Sequence, residues 1–237
     1  MSSSSPKTVI RLRGATKTFA SGRHSVTALR GVDLDVPAGA MLALAGPGGS
    51  GKSTLVDLLA GLHAADEGEV AVLGHHLAAR RPADRAALRL RRIGLVRPDP
   101  GLLADLSLGE NTALPLEAAG IPRARARQAA RAALDRVGIA DLRDRLPAQV
   151  DPAARQRAAV ARAVVGDREL LLADDPTARL DSRAAADLLR LLAGLRDHGV
   201  TVVLTHRGTG PGPVRHADLV AELADGVLGP VTTGGRP

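Results

Sequence analysis

The chain contains no cysteine, tryptophan or tyrosine, and a single phenylalanine, Phe19. Without thiols, disulfides and thiolate metal sites are excluded, which fits a reducing compartment. With one aromatic side chain, no platform exists on which successive bases could stack. Nucleic acid is therefore not expected as a partner, although the formal net charge is +7. No apolar run approaches the roughly 20 residues a spanning helix needs, so any membrane function requires another chain. Residues 1–6 are serine-rich and lack the apolar stretch of a secretory signal. Residues 1–7 and 230–237 read as tails on a single domain over 8–229.

Of the 237 residues, 45% are hydrophobic, enough for one large core with an inserted subdomain. Arginines recur at helical spacing over residues 80–92 and 123–131. Solvated helix faces are the favoured reading, and an anionic surface is the other. The histidines at 24, 63, 75, 76, 198 and 216 read as surface residues.

Residues 8–37 read as short strands and turns, with Val9-Ile10-Arg11-Leu12 and an alternating Val32-Asp33-Leu34-Asp35-Val36. Met41-Leu42-Ala43-Leu44-Ala45 is continuously apolar, as a strand buried on both faces must be. A glycine-rich loop follows, then a helix carrying Leu55, Val56, Leu58, Leu59 and Leu62 on a helical period. Short strands are expected at 69–74, 93–96, 169–173 and 200–204, and a hairpin about Ala224-Asp225-Gly226. Residues 107–146 carry helical patterns interrupted by Pro115, Gly120 and Pro122. Asp151-Pro152 starts a further helix, with Asp as cap and Pro in the first turn. Another spans 182–197. Strands alternate with helices at both ends and helices fill the middle. That pattern predicts α/β architecture: a mainly parallel sheet, an N-terminal antiparallel β region, and a helical subdomain inserted at about 98–165.

Gly46-Pro47-Gly48-Gly49-Ser50-Gly51-Lys52-Ser53 fits G-x-x-x-x-G-K-[ST] in full, between a buried strand and a helix. Glycines let backbone N–H groups turn inward around a phosphate. Lys52 adds a point charge, Ser53 a hydroxyl for Mg²⁺, and the helix start a positive dipole end. Leu170-Leu171-Leu172-Ala173-Asp174-Asp175 is an apolar strand ending in two carboxylates. Asp174 suits the metal and Asp175 the attacking water, the other reading being an acidic turn before Pro176.

These residues together resemble the ABC ATPase family over most of the chain. Gly46 to Thr54 matches its Walker A loop, and LLLADDPTARLD (170–181) resembles its Walker B and D-loop. Thr205-His206 is similar to its switch histidine, and residues 217–226 to its closing hairpin. The flavour is that of the lipoprotein-release and macrolide-export types. The resemblance implies a P-loop NTPase (RecA-like) core, with ATP and Mg²⁺ as cofactors. It implies that Phe19 stacks on adenine, although an ordinary core phenylalanine is the alternative. It also implies that His206 donates to the γ-phosphate and Asp181 contacts a second subunit. Partners would be a separate membrane-spanning permease and a second cassette, in a head-to-tail homo- or heterodimer. The location would be cytoplasmic, on the inner face of the plasma membrane.

Three motifs depart from the family pattern, and so does the residue after His206. The signature LSGGQ aligns with Val150-Asp151-Pro152-Ala153-Ala154, placing a carboxylate where the serine meets the partner's phosphate. The Q-loop glutamine is Pro98. The catalytic glutamate is Asp175, shorter by a methylene, and Arg207 follows His206 where Asp is usual. The expectation is an ABC nucleotide-binding subunit that hydrolyses MgATP slowly. The alternative is an ATP-dependent regulatory module with negligible turnover.

Overall fold

The computed structural model describes residues 7–21, 24–208 and 211–235. Strands β1 (Thr8–Ser21) and β2 (His24–Pro37) form an antiparallel pair. Each is 14 residues long, where the sequence suggested short pieces. Register shifts at residues 8–18 absorb the polar and glycine interruptions, so the strands bend and continue. With β4 (Glu67–Val72) and β5 (His75–His76) they make a four-stranded sheet in the order β2-β1-β4-β5.

The second sheet is built on β3 (Met41–Ala45), β6 (Ile93–Val96), β7 (Leu170–Ala173), β8 (Thr201–Thr205) and β9 (Leu219–Ala224). Its order is β10-β9-β3-β8-β7-β6, where β10 is Val227–Leu228; β11 (Thr232–Thr233) pairs β9. The five longer strands run parallel. Their apolar runs are explained by alternation between two cores. Leu42, Leu44, Leu170, Leu172 and Val203 face the first sheet, whereas Met41, Ala43, Leu171, Ala173, Val202 and Leu204 face the helices. Each leucine so buried contributes about 1.5–3 kcal/mol.

Helix α1 (Lys52–Leu59) fills the space between the sheets with Leu55, Val56, Leu58 and Leu59. It ends before Leu62, which is 39% exposed, because Gly61 turns the chain at φ 65°. Helix α2 (Pro82–Arg92) leads into β6. Helices α3 (Leu108–Ala118), α4 (Arg123–Arg136) and α5 (Pro152–Val164) follow and pack on one another. Pro115 lies inside α3 and does not end it: a capping box of Ser107 and Glu110 secures the helix start. On α4, Ala126, Ala130 and Ala133 are buried at helical spacing, leaving the exposed side chains of Arg123 and Arg127 near Glu110. Helix α6 (Ser182–Asp197) covers the parallel sheet, and the short α7 (Pro211–Val214) precedes β9.

The arginine-rich stretches are not uniformly solvated. Arg89 donates to the carbonyls of Ala60 and Gly61 just beyond α1 (3.2 and 3.0 Å). Arg168 is buried and donates to carbonyls of Arg89 and Leu90 at the end of α2. His75 is also not a plain surface residue. It lies half-buried between Arg80 and Arg92, and burial with those two cations holds its pKa down. His24 has no described side chain.

Candidate functional site

Three adjacent parallel strands deliver the site. Strand β8 lies between β3 and β7, so the loop after Ala45, the carboxylates after Ala173 and the residues after Leu204 meet at one sheet edge. The carboxyl edge of such a sheet is where α/β folds bind ligands.

The loop's glycines answer two different demands. Gly46 (φ 151°) and Gly51 (φ 102°) have neighbours that leave no room for a side chain. A Cβ at Gly46 would lie 2.1 Å from the Leu223 carbonyl oxygen, and one at Gly51 2.2 Å from that of Ala28. Gly48 and Gly49 face open space, with nothing within 4 Å of either Cβ position. Pro47, Gly48 and Gly49 are exposed, while Gly46, Ser50 and Lys52 are buried. Lys52 donates through Nζ to the carbonyls of Gly46 and Pro47 (2.7 Å each) and to Ser50 Oγ (3.1 Å). Burial lowers its pKa first, with Asp175 pulling the other way. Helix α1 starts at Gly51 with no side-chain cap and no acidic residue in its first turn. Its N–H groups and positive end remain available to an anion. Ser53 is exposed and Thr54 is half-buried.

The two carboxylates have distinct settings. Asp174 is 4% exposed; its Oδ1 accepts from Thr205 Oγ1 (2.8 Å), and its Oδ2 lies 3.6 Å from Arg97 Nη1. Asp175 adopts φ 42°, a rare conformation for a residue with a Cβ, fixed by its N–H donating to Thr205 Oγ1 (2.9 Å). Burial raises the Asp175 pKa; Arg207, whose Nε lies 3.1 Å from Oδ2, opposes that rise. His206 is 4% exposed, and its Nε2 is buried with no hydrogen-bond partner. Burial lowers its pKa, so the ring is neutral near pH 7. Its backbone N–H donates to the Leu44 carbonyl (3.0 Å), extending the β3–β8 ladder.

A cavity of about 200 Å³ is lined by residues 48–54, Asp174, Asp175 and Thr205. A second, of about 610 Å³, holds His206 and shares Pro98, Asp175 and Arg207 with the first. Phe19 lines neither cavity. It pairs with Val26 in the antiparallel sheet, two residues from the cavity-lining Ala28, and meets His63 edge-on at 5.4 Å. Sequence reasoning missed Thr205 as the hydroxyl joining both carboxylate residues, although a polar residue closing an apolar strand was a signal. It also missed Arg97, a lone cation directly after a buried strand. Asp151 caps α5, its Oδ1 accepting from the Ala154 N–H (2.7 Å), so this helix start is occupied from within.

The Ser53 hydroxyl and the Asp174 carboxylate are hard oxygens, and such donors would fit magnesium in kind. Asp174 already has one basic neighbour in Arg97.

A glycine-rich loop at an uncapped helix start, facing paired carboxylates at the end of β7 in the same parallel sheet, defines a P-loop nucleotide-binding protein. The ABC transporter family profile matches residues 29–178. The chain is 38% identical over 222 residues to the lipoprotein-releasing system ATP-binding protein LolD of Chromohalobacter salexigens, covering 93% of this chain and 92% of that one. It is 36% identical to the macrolide export ATP-binding/permease protein MacB of Agrobacterium fabrum, covering 93% of this chain but only 34% of that protein. Among solved structures, the ATP-binding cassette MJ0796, a dimer in a post-hydrolysis state with ADP and Pi, superposes with a TM-score of 0.87. Identity there is 28%, over 96% of this chain and 99% of that one. The chain belongs to the ABC transporter family, as its nucleotide-binding ATPase cassette. Among the described residues no helix is long and apolar enough to cross a membrane.

Proposed function

We propose that this cassette binds MgATP on the loop from Gly46 to Thr54 and hydrolyses it slowly, driving a separate membrane-spanning permease. The observation carrying this reading is the junction of the uncapped α1 start, Lys52 and the two carboxylates at one sheet edge. Lys52 and the loop N–H groups bind the β- and γ-phosphates, Lys52 turning from its present carbonyl partners. Ser53 and Asp174 would hold magnesium, which would supply positive charge to offset that of the phosphates. Phe19 serves the adenine; its half-buried ring at the sheet end near Ala28 supports that role.

Asp175 is the catalytic base and His206 the γ-phosphate donor. The unpartnered Nε2 of His206 supports a ligand contact, since a buried ring nitrogen without a partner costs about 1–3 kcal/mol. Slow turnover is supported by the short Asp175 side chain and its ion pair with Arg207. A base displaced by on the order of 1 Å can cost about 100-fold in rate. Because Asp151 occupies the start of α5, its carboxylate would face a second cassette's phosphate, which disfavours closure of a head-to-tail dimer. That dimer arrangement is supported by the dimeric MJ0796 cassette. The permease partner and a location on the inner membrane face are supported by LolD and MacB, whose names join ATP binding to release and export.

The test is calorimetric titration of the intact chain with ATP and magnesium, alongside Lys52→Ala checked for fold by circular dichroism. Saturable heat in the parent chain and none in the variant is the expected result. Equal binding by both would place the nucleotide elsewhere.

A further inference from the structure

Asp151 and Arg207 open on one face of the cassette. Pro152, beside Asp151 at the start of α5, lines a cavity of about 260 Å³ together with Pro98, Arg155 and Arg179. Pro98 and Arg179 also line the larger cavity that holds Arg207. The two cavities are therefore joined, and the face runs from the start of α5 to the loop after β8. Between its ends Asp99 meets Arg179 at 3.1 Å, so that carboxylate is already balanced.

The ends of the face carry charge that the chain itself does not satisfy. Asp151 is exposed; its Oδ1 accepts from the Ala154 N–H (2.7 Å), and among the described residues the carboxylate makes no ion pair. Arg207 Nε lies near Asp175 Oδ2, yet that oxygen has no hydrogen-bond partner, so the contact is one of charge alone. The Arg207 side chain is 75% exposed. Its guanidinium fork, which can grip a carboxylate through two parallel bonds, is open to a ligand from outside.

A face with an anion at one end and a cation at the other is complementary to itself. A two-fold axis that sets two copies head to tail brings each end onto the opposite end of its mate, and does so twice. Each residue alone suits such a dimer badly. Arg207 set against a bare helix start meets the positive end of α5. Asp151 brought to the sheet edge without Arg207 meets the carboxylates of Asp174 and Asp175. Facing each other, the two attract.

We propose that Asp151 of one copy pairs with Arg207 of a second, and the reverse, in a head-to-tail homodimer that closes without nucleotide. The inference rests on the head-to-tail arrangement proposed above. With no phosphate in place, the Asp151 carboxylate takes the guanidinium instead. A cassette with the family's usual serine and aspartate at these two places would set an aspartate against Asp151 and a serine against Arg207. The pairing therefore favours a second copy of this chain over a mixed dimer.

Sedimentation equilibrium of the full chain without nucleotide tests this, with every variant checked by thermal melting. The parent is expected to dimerise. Asp151→Arg and Arg207→Asp each set like charges against one another, and each is expected to raise the dimer Kd about tenfold or more. Mixed in equal amounts, the two variants recover both ion pairs in a heterodimer, with a Kd expected within about threefold of the parent's. Single variants that dimerise like the parent, or a mixture no tighter than either alone, overturn the proposal and leave the head-to-tail reading standing. So does a parent that dimerises only with MgATP. A parent that stays monomeric with and without MgATP overturns that reading and this proposal together. Should either variant fail to fold, Asp151→Asn, which keeps a cap oxygen, and Arg207→Gln give the second readout. Each is expected to weaken the parent dimer, and the double variant to lose less than the two losses added. Additive losses, or none, overturn the pairing.

Discussion

Arg207 Nε sits 3.1 Å from Asp175 Oδ2, an ion pair between a largely exposed guanidinium and a buried carboxylate at the edge of the sheet. Burial pushes the Asp175 pKa up and Arg207 pulls it back. Replacing Arg207 with Ala removes the pull, so Asp175 keeps its proton to higher pH. If Asp175 is the base, the acidic limb of the kcat against pH profile moves to higher pH in that variant. Hydrolysis rates measured across the acid-to-neutral range check this, and an unmoved limb would exclude Asp175 as the titrating group.

Restoring the family residues should raise turnover. Asp175→Glu extends the base by one methylene, and misplacement on that scale is worth about 100-fold. Pro98→Gln and Asp151→Ser address the loop after β6 and the start of α5. The triple variant is expected to exceed the parent in single-turnover ATPase rate by at least the gain of Asp175→Glu alone. Equal rates would show that the three departures do not limit hydrolysis.

The glycine loop divides into members packed against backbone and members that face open space. Gly51→Ala drives a Cβ to 2.2 Å from the Ala28 carbonyl at φ 102°, so backbone must shift. Strain of this kind costs about 1–3 kcal/mol, and a lowered melting temperature is expected. Gly48→Ala meets nothing within 4 Å and has no positive φ. It should melt with the parent yet bind ATP more weakly, because its methyl projects into open space at the proposed phosphate loop. Melting curves and calorimetry on the two variants separate these effects.

Much of this could be read from local chemistry. Gly46 to Ser53 declared a phosphate loop because its spacing and its strand–helix context are local. Asp151 and Pro152 declared a helix start for the same reason, and Asp225 and Gly226 close a two-residue hairpin with φ 48° and 81°. What was not legible depends on strand order. Only β8 lying between β3 and β7 makes Thr205 a bridge between Asp174 and Asp175. Only the β6–β7 register turns Arg97 from one more arginine into a neighbour of Asp174. Likewise the length of β1 and β2 came from tertiary pairing that carried both strands through glycines 14 and 31.

Asp151 has two separable roles. As the cap of α5 its side chain accepts from the Ala154 N–H, and Asp151→Ala is expected to cost about 0.5–2 kcal/mol in urea denaturation. Asp151→Ser keeps an oxygen for the cap and should stay within a few tenths of the parent. If the carboxylate repels a second cassette's phosphate, the serine variant should also form more ATP-dependent dimer by analytical ultracentrifugation. Identical dimer fractions would leave Asp151 with its capping role alone.

His206 ties stability to pH. Its pKa is held down mainly by burial, with Lys52 acting in the same sense and Asp175 and the Arg207 backbone opposing. In the unfolded chain a histidine binds a proton near pH 6.5, whereas the folded ring resists until lower pH. Below that value the unfolded state holds more protons, so unfolding free energy falls as pH falls. Asp175 acts in the opposite direction, since its raised pKa favours the folded state on protonation. The histidine effect sets in over the interval from about pH 6.5 to 5. His75, also lowered, adds to it. His206→Gln keeps a polar side chain without the titration. Its urea midpoint is expected to fall less steeply over that interval than the parent's, and parallel slopes would show that another group sets the acid sensitivity.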